Sequence, residues 1–211
     1  MNTKISIKPL QVDDLDGVAL IHQRAFPRSL LTALGKEAVR RYYEWCLIGP
    51  HDVVALGLFH DECLKGYCFG ELFEDAMKGY LYKNTIYLIK CLLFNPFVFI
   101  RSEFRIKIIK GIDILFRRIK SSKKIKNTYN QSIKSFGILV IAIDPDIQRS
   151  GYGKMIMEHI ERIAFYKGYN KMHLVVDISN ISAIIFYEKL GWRKILNENA
   201  NFSGLMIKSL C

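Results

Sequence analysis

The stretch FGILVIAIDPDIQRSGYGK, residues 136–154, decides the fold. Its first eight residues are an unbroken apolar run that reads as a strand. Pro145 has no N–H and pushes Asp144 towards an extended conformation, so regular pairing should end there. Gly151 and Gly153 then stand one residue apart between Arg149 and Lys154, and helix-like sequence follows. Strand, glycine turn, helix is the order of a phosphate-binding site. Glycine lets the backbone approach a ligand closely, and the first turn of a helix offers unpaired N–H groups and the positive end of its dipole. Alone, the pattern Gln or Arg, any, any, Gly, any, Gly or Ala is too common to carry a function. Its context gives it weight, because 32 residues past Gln148 a second helical stretch begins, NISAIIFYEKLGW (180–192).

Working outward, the 211 residues suit one domain with a sizeable core, and half of them are apolar. Five cysteines, Cys46, Cys63, Cys68, Cys91 and Cys211, form no CxxC pair and no zinc-like spacing with the five histidines. Reduced thiols in a cytoplasm are expected, with no metal. The stretch MNTKISIKPL lacks the apolar core of a secretory leader. CLLFNPFVFI (91–100) is ten residues long and holds a proline, against roughly 20 residues needed to span a bilayer.

The net charge of +11 is concentrated. Residues 75–134 hold 14 Lys and Arg against three acids, Asp75, Glu103 and Asp113, while the rest of the chain carries 17 of each sign.

Upstream, KISIKPL alternates as a first strand should, and DDLDGVALIHQRAFP reads as a helix capped by Asp13 or Asp14 and stopped by Pro27. LTALGKEAVRRYYEWCL reads as one further helix with Val39, Tyr42, Tyr43 and Cys46 inward. Val53–Phe59 and Leu64–Leu72 read as a hairpin. The 75–134 block reads as helices interrupted at Asn95 and Pro96. Downstream come a helix over 154–167, a strand KMHLVVDI, a helix capped by Asn180 or Ser179, and final strands in WRKIL and GLMIKSL.

Residues 138–192, through ILVIAIDPDIQRSGYGKMIMEHI and LVVDISNISAIIFYEKLGW, resemble the GNAT superfamily of acyl-CoA N-acyltransferases. The resemblance implies an α/β fold with a mixed, mostly antiparallel twisted sheet flanked by helices. The chain reads as a single domain over 1–211, and the 75–134 block departs from the family pattern as an insertion between strands 3 and 4. The resemblance also implies acetyl-CoA as acetyl donor, its pyrophosphate held by main-chain amides at Gln148, Arg149, Ser150, Gly151, Tyr152 and Gly153. Ile141 and Ile143 would add backbone groups from a strand that splays from its neighbour, and Arg149 and Lys154 positive charge. Asn180 is assigned cofactor contact by the same resemblance, although capping alone explains it.

For the chemistry, the resemblance points Tyr187 at the coenzyme sulfur as the proton donor to the departing thiolate. A phenol near pKa 10 suits a thiol near 8.5. Its plain alternative is a core tyrosine at helical spacing with Ile184, Ile185, Phe186 and Leu190. The acceptor amine must lose a proton to attack, and Glu71, near the end of the third strand, is the first candidate base, with Glu74 next. The histidines show no triad companion in the sequence.

About 60 residues between strands 3 and 4 exceed a simple loop. A helical lid over the acceptor is the first reading, peripheral contact with anionic membrane the second. Nucleic acid comes third, because no reading motif accompanies the charge. AFPRSLLTALGKEAVRRYYEWCL loosely resembles family members of cell-surface polysaccharide pathways, which suggests an amino sugar as acceptor. The rival function is a non-catalytic acyl-CoA-binding module that docks through its basic block.

Overall fold

The computed structural model describes residues 4–71, 76–100, 104–106, 108–109 and 135–210. They cluster into two interleaved units, Met1–Pro9 with Asp52–Leu72 and Tyr129–Cys211, and Leu10–His51 with Phe73–Thr128.

The first unit is built on one seven-stranded sheet in the order β1-β2-β3-β4-β5-β7-β6. The strands are β1 (Ile5–Pro9), β2 (Val54–His60), β3 (Cys63–Gly70), β4 (Phe136–Ile143), β5 (Lys171–Val175), β6 (Arg193–Leu196) and β7 (Phe202–Ser209). Every pairing is antiparallel except β4 with β5. The mixed, mostly antiparallel sheet is the one expected from the sequence. The β2–β3 hairpin turns through Asp61 and Glu62, both at positive φ (48° and 65°), the geometry that suits the right-handed twist of flanking strands.

Two helices pack on one face of this sheet. The first, Tyr152–Tyr166, sends Ile156, Met157, Ile160 and Ala164 inward at helical spacing. These meet Leu56, Leu58, Cys68, Phe136, Ile138, Met172 and Leu174 from four strands. The second, Ile181–Lys189, adds Ile184 and Tyr187 to the same core.

In the second unit α1 (Leu15–Ala25) buries Leu15, Val18, Ala19, Ile21 and His22. The single helix expected over LTALGKEAVRRYYEWCL is two, α2 (Leu30–Ala33) and α3 (Lys36–Ile48). Gly35 divides them at φ 100°, a conformation that only glycine adopts cheaply. Ser29 accepts from the Thr32 N–H at 3.0 Å and so caps α2. The inward set of α3 is as read from sequence, with Val39, Tyr42, Tyr43 and Cys46 all buried. His22 shares hydrogen bonds with the Tyr43 hydroxyl at 2.9 Å and Ser29 Oγ at 3.1 Å. Burial pushes its pKa down to about 4.

Within the basic block, α4 (Ala76–Lys83) and α5 (Thr85–Phe94) are followed by a 3-10 turn, Pro96–Phe99, so the break falls at Asn95 and Pro96 as expected. Most of the block's later charges, and the second candidate base Glu74, lie outside the described residues. Of the helices labelled next, α6 is Tyr152–Tyr166 and α7 is Ile181–Lys189.

Candidate active site

The feature that organises the first unit is the parting of β4 and β5. They pair at Phe136 with Met172, Gly137 with His173 and Ile138 with Leu174, and then no further, although β4 runs on to Ile143. On its other edge β4 stays paired with β3 as far as Ile143, with an irregularity opposite Phe69 and Gly70. Asp144 N–H donates to the Lys65 carbonyl on that edge at 2.8 Å. Strand alternation therefore turns the N–H and C=O of Ile141 and Ile143 towards the edge that β5 has left. Backbone groups at an edge without a strand are an unmet hydrogen-bonding demand. The Ile143 carbonyl is already met there, by the Gln148 side-chain amide donating at 3.1 Å.

β4 ends where the sequence says it should. Pro145 opens a 3-10 turn, Pro145–Ile147, with Asp144 as its cap. Arg149 follows at φ 65°, and Gly151 at φ 84° is the residue from which α6 starts. A β-carbon at Gly151 would meet nothing within 4 Å, so open space lies before the helix N-terminus. Gln148, Arg149, Ser150, Gly151 and Lys154 are exposed, while Tyr152 packs partly on the core. The first turn of α6 aims unpaired N–H groups at this space. An anion bound there would meet backbone donors and the positive end of a 15-residue helix.

Three predicted residues carry structural duties as well. A β-carbon on Gly153 would come within 3.3 Å of Phe186 Cζ, so this glycine lets α6 close on α7. Lys154 pairs with Glu158 one turn on, at 3.7 Å and largely exposed. Asn180 caps α7 by accepting from the Ala183 N–H at 3.1 Å and from Ser182 Oγ at 3.0 Å.

Tyr187 stands in α7 within the core cluster, only 8% exposed, its ring tilted against Phe186 and Trp192. Burial, with the nearby Cys68 thiol, pushes its pKa well above the ordinary 10. A phenol is protonated at neutral pH already at its ordinary value, and the upward shift makes this one a weaker acid than the free phenol that the sequence argument matched to a thiol.

Glu71 follows β3 directly and is buried, 7% exposed, at φ 93°. Its N–H donates to the Gly137 carbonyl at 2.9 Å, which sets it beside the last paired rungs of β4 and β5. Both carboxylate oxygens are engaged. Tyr169 OH donates to Oε1 at 2.6 Å and the Lys167 ammonium pairs with Oε2. The hydrogen bond to Glu71 lifts the Tyr169 pKa to about 12.

His173 is the residue that sequence reasoning passed over. It alternates on β5 with Met172 and Leu174, which enter the core, so its imidazole lies on the opposite face of the sheet. Its partner there is Ser135, whose Oγ lies 2.8 Å from Nδ1. The only available signal was the alternation in KMHLV, since Ser135 lies 38 residues away in the chain. Among the described residues no cluster of three or more His, Cys, Asp or Glu is placed to hold a metal. Nor, among them, is any helix long and apolar enough to cross a membrane.

The chain is similar to known proteins in part of its sequence and in its fold. A family model described as Acetyltransferase (GNAT) family matches residues 127–192. The [Ribosomal protein bS18]-alanine N-acetyltransferase of Salmonella typhimurium is 43% identical over 54 residues, which are 26% of this chain and 36% of that protein. The match thus spans about a third of the curated relative's length. The crystal structure of the ribosomal-protein-S18-alanine N-acetyltransferase from Escherichia coli superposes with a TM-score of 0.56 at 16% identity, covering 98% of this chain and 94% of that one. PaiA N-acetyltransferase from Thermoplasma acidophilum, solved in complex with coenzyme A, gives 0.58 at 15% identity, covering 98% and 99%.

Proposed function

We propose that this chain, whose residues 127–192 match the GNAT acetyltransferase family model, moves an acetyl group from acetyl-CoA to a primary amine by direct attack. The observation that carries the reading is the parting of β4 from β5 beyond Ile138, directly before the Gly151 turn. An extended, amide-bearing arm fits alongside Ile141 and Ile143 as a missing strand would. A diphosphate fits the N-terminus of α6, with Arg149 adding charge. The residues present therefore suit acetyl-CoA as donor substrate.

In the reaction the amine nitrogen bonds the thioester carbonyl carbon and the carbon–sulfur bond breaks. A strand N–H at the parting offers a donor for charge gathering on the carbonyl oxygen. Tyr187, protonated at neutral pH, hands its proton to the leaving sulfur. The acceptor class is an amine presented as a peptide N-terminus or an amino sugar. The bS18-alanine enzymes among the relatives favour the first, and the loose likeness of residues 25–47 the second. The free thiols Cys46, Cys63, Cys68 and Cys91 agree with a cytoplasmic location.

The test is thiol release from acetyl-CoA with a peptide beginning in alanine and with glucosamine as separate acceptors. Acetylation of either supports the reading. Acetyl-CoA binding without transfer to any amine would favour the binding-module alternative.

A specific observation favours peripheral membrane contact as an added property. α5 buries Leu88 yet leaves Ile86, Ile89, Leu93 and Phe94 exposed, with Lys90 on the same outer face. Apolar side chains with an interleaved cation suit an anionic bilayer surface. Flotation with phosphatidylglycerol vesicles should carry the protein, and Leu93→Ser with Phe94→Ser should abolish it. Equal flotation of the variant removes this surface from consideration.

A further inference from the structure

We propose that His173 takes the proton from the acceptor amine, with Ser135 holding its ring for that task. The inference rests on the acetyltransferase reading above and offers His173 as the base in place of Glu71, the first candidate from the sequence.

Position comes first. Gly137 and His173 are paired one rung before the strands part. A β-carbon at 137 would come within 3.1 Å of both Cε1 and Nε2 of the imidazole. The ring thus lies over a bare stretch of β4, its Nε2 edge beside the place where the thioester end of an arm lying along residues 139–143 would stop. A β-carbon there would press the ring away by a few tenths of an ångström.

Orientation comes second. Nδ1 lies 2.8 Å from Ser135 Oγ, and Nδ1–H donating to that oxygen leaves the lone pair on Nε2, the ring atom that lies over Gly137. A general base needs such an orienting partner.

Protonation comes third. The imidazole is partly buried, and that burial lowers its pKa from the ordinary 6.5, so it is neutral and able to accept a proton at pH 7. Charged groups stand on the strands around it. Across Gly137 the Glu71 carboxylate is turned to Tyr169 and Lys167. Lys171 lies two residues earlier on the same face of β5, and Arg193 two strands away in the same cross-sheet row through Ile207.

Glu71, by contrast, already holds an ammonium and a phenol.

The proton balance closes. Nε2 takes one proton from the acceptor ammonium, and the free amine attacks. As the amide forms, the nitrogen sheds a second proton to solvent, Tyr187 gives its proton to the thiolate, and the phenolate takes one back from solvent. The imidazolium returns its proton to solvent.

The experiment measures acetyl-CoA consumption with the alanine peptide and with glucosamine, for the full chain and for His173→Gln. The variant should lose turnover by about 100-fold or more, the usual worth of a general base. Its acetyl-CoA affinity should stay within about twofold of the parent's, and added imidazole should restore part of the rate. The parent's rate should rise through one ionisation below pH 6.5, a limb absent from the variant. Ser135→Ala, a change at the strand entrance, should lower turnover by several-fold without moving acetyl-CoA affinity. It keeps the question open to decision should His173→Gln fail to fold. Transfer by His173→Gln within about threefold of the parent's, with the acid limb retained, would overturn the role of His173 alone. A parent that acetylates neither amine would take down the acetyltransferase reading and this assignment together.

Discussion

Glu71 and Tyr169, 98 residues apart in sequence, meet in a hydrogen bond of 2.6 Å from the phenol to a buried carboxylate oxygen. With the Lys167 ion pair, it fastens the end of β3 to the segment leading from α6 into β5. A backbone at φ 93° is costly for a residue with a side chain, so the contacts made here must repay that strain. Tyr169→Phe should lower unfolding stability by about 2 kcal/mol, the worth of a hydrogen bond to a charged group. Urea denaturation measures it. Glu71→Gln should lose stability too, with turnover per folded molecule within about threefold of the parent's; a collapse of turnover at unchanged stability would return Glu71 to the role of base.

Tyr187→Phe removes only a hydroxyl from a well-packed ring. Acetyl-CoA affinity should be unchanged and turnover should fall by about tenfold or more, as expected for a lost general acid. Steady-state kinetics beside calorimetry separates the two. Unchanged turnover would leave Tyr187 as a core residue.

The two glycines of the turn should respond differently. Gly151→Ala meets no neighbour but forces alanine to φ 84°, at a cost of roughly 1–2 kcal/mol, and it rearranges the anion-facing turn. Acetyl-CoA affinity should fall first. Gly153→Val instead presses on Phe186 and should lower the melting temperature before it alters affinity. Melting curves with and without acetyl-CoA distinguish the patterns.

The second unit carries a pH dependence through His22. Its folded pKa of about 4 lies below the unfolded value near 6.5, so below pH 6.5 the unfolded chain binds a proton that the folded one refuses. Stability is therefore full above pH 6.5 and declines as pH falls towards 4, by up to roughly 3 kcal/mol. Urea midpoints across that range should show the slope, and His22→Gln should flatten it.

Much of this was legible in the sequence for local reasons. The strand end at Pro145, the glycine turn and the hairpin over residues 54–70 follow from backbone chemistry written in neighbouring residues. The break at Gly35 was missed because apolar periodicity runs across it, while one positive φ suffices to divide the helix. Gly153 hid a second purpose, since its close neighbour Phe186 is 33 positions away. His173 and Ser135 were invisible as a pair for the same reason, as were the partners of Glu71. Such pairings exist only once β4 and β5 lie side by side.

Isothermal titration of the intact chain with acetyl-CoA in moderate salt asks most directly whether the gap between β4 and β5 and the turn at Gly151 hold a thioester coenzyme. One molecule should bind per chain, and Gly151→Ala should bind more weakly. No heat and no competition by free coenzyme A, even at millimolar ligand, would leave the parted strands without their proposed occupant.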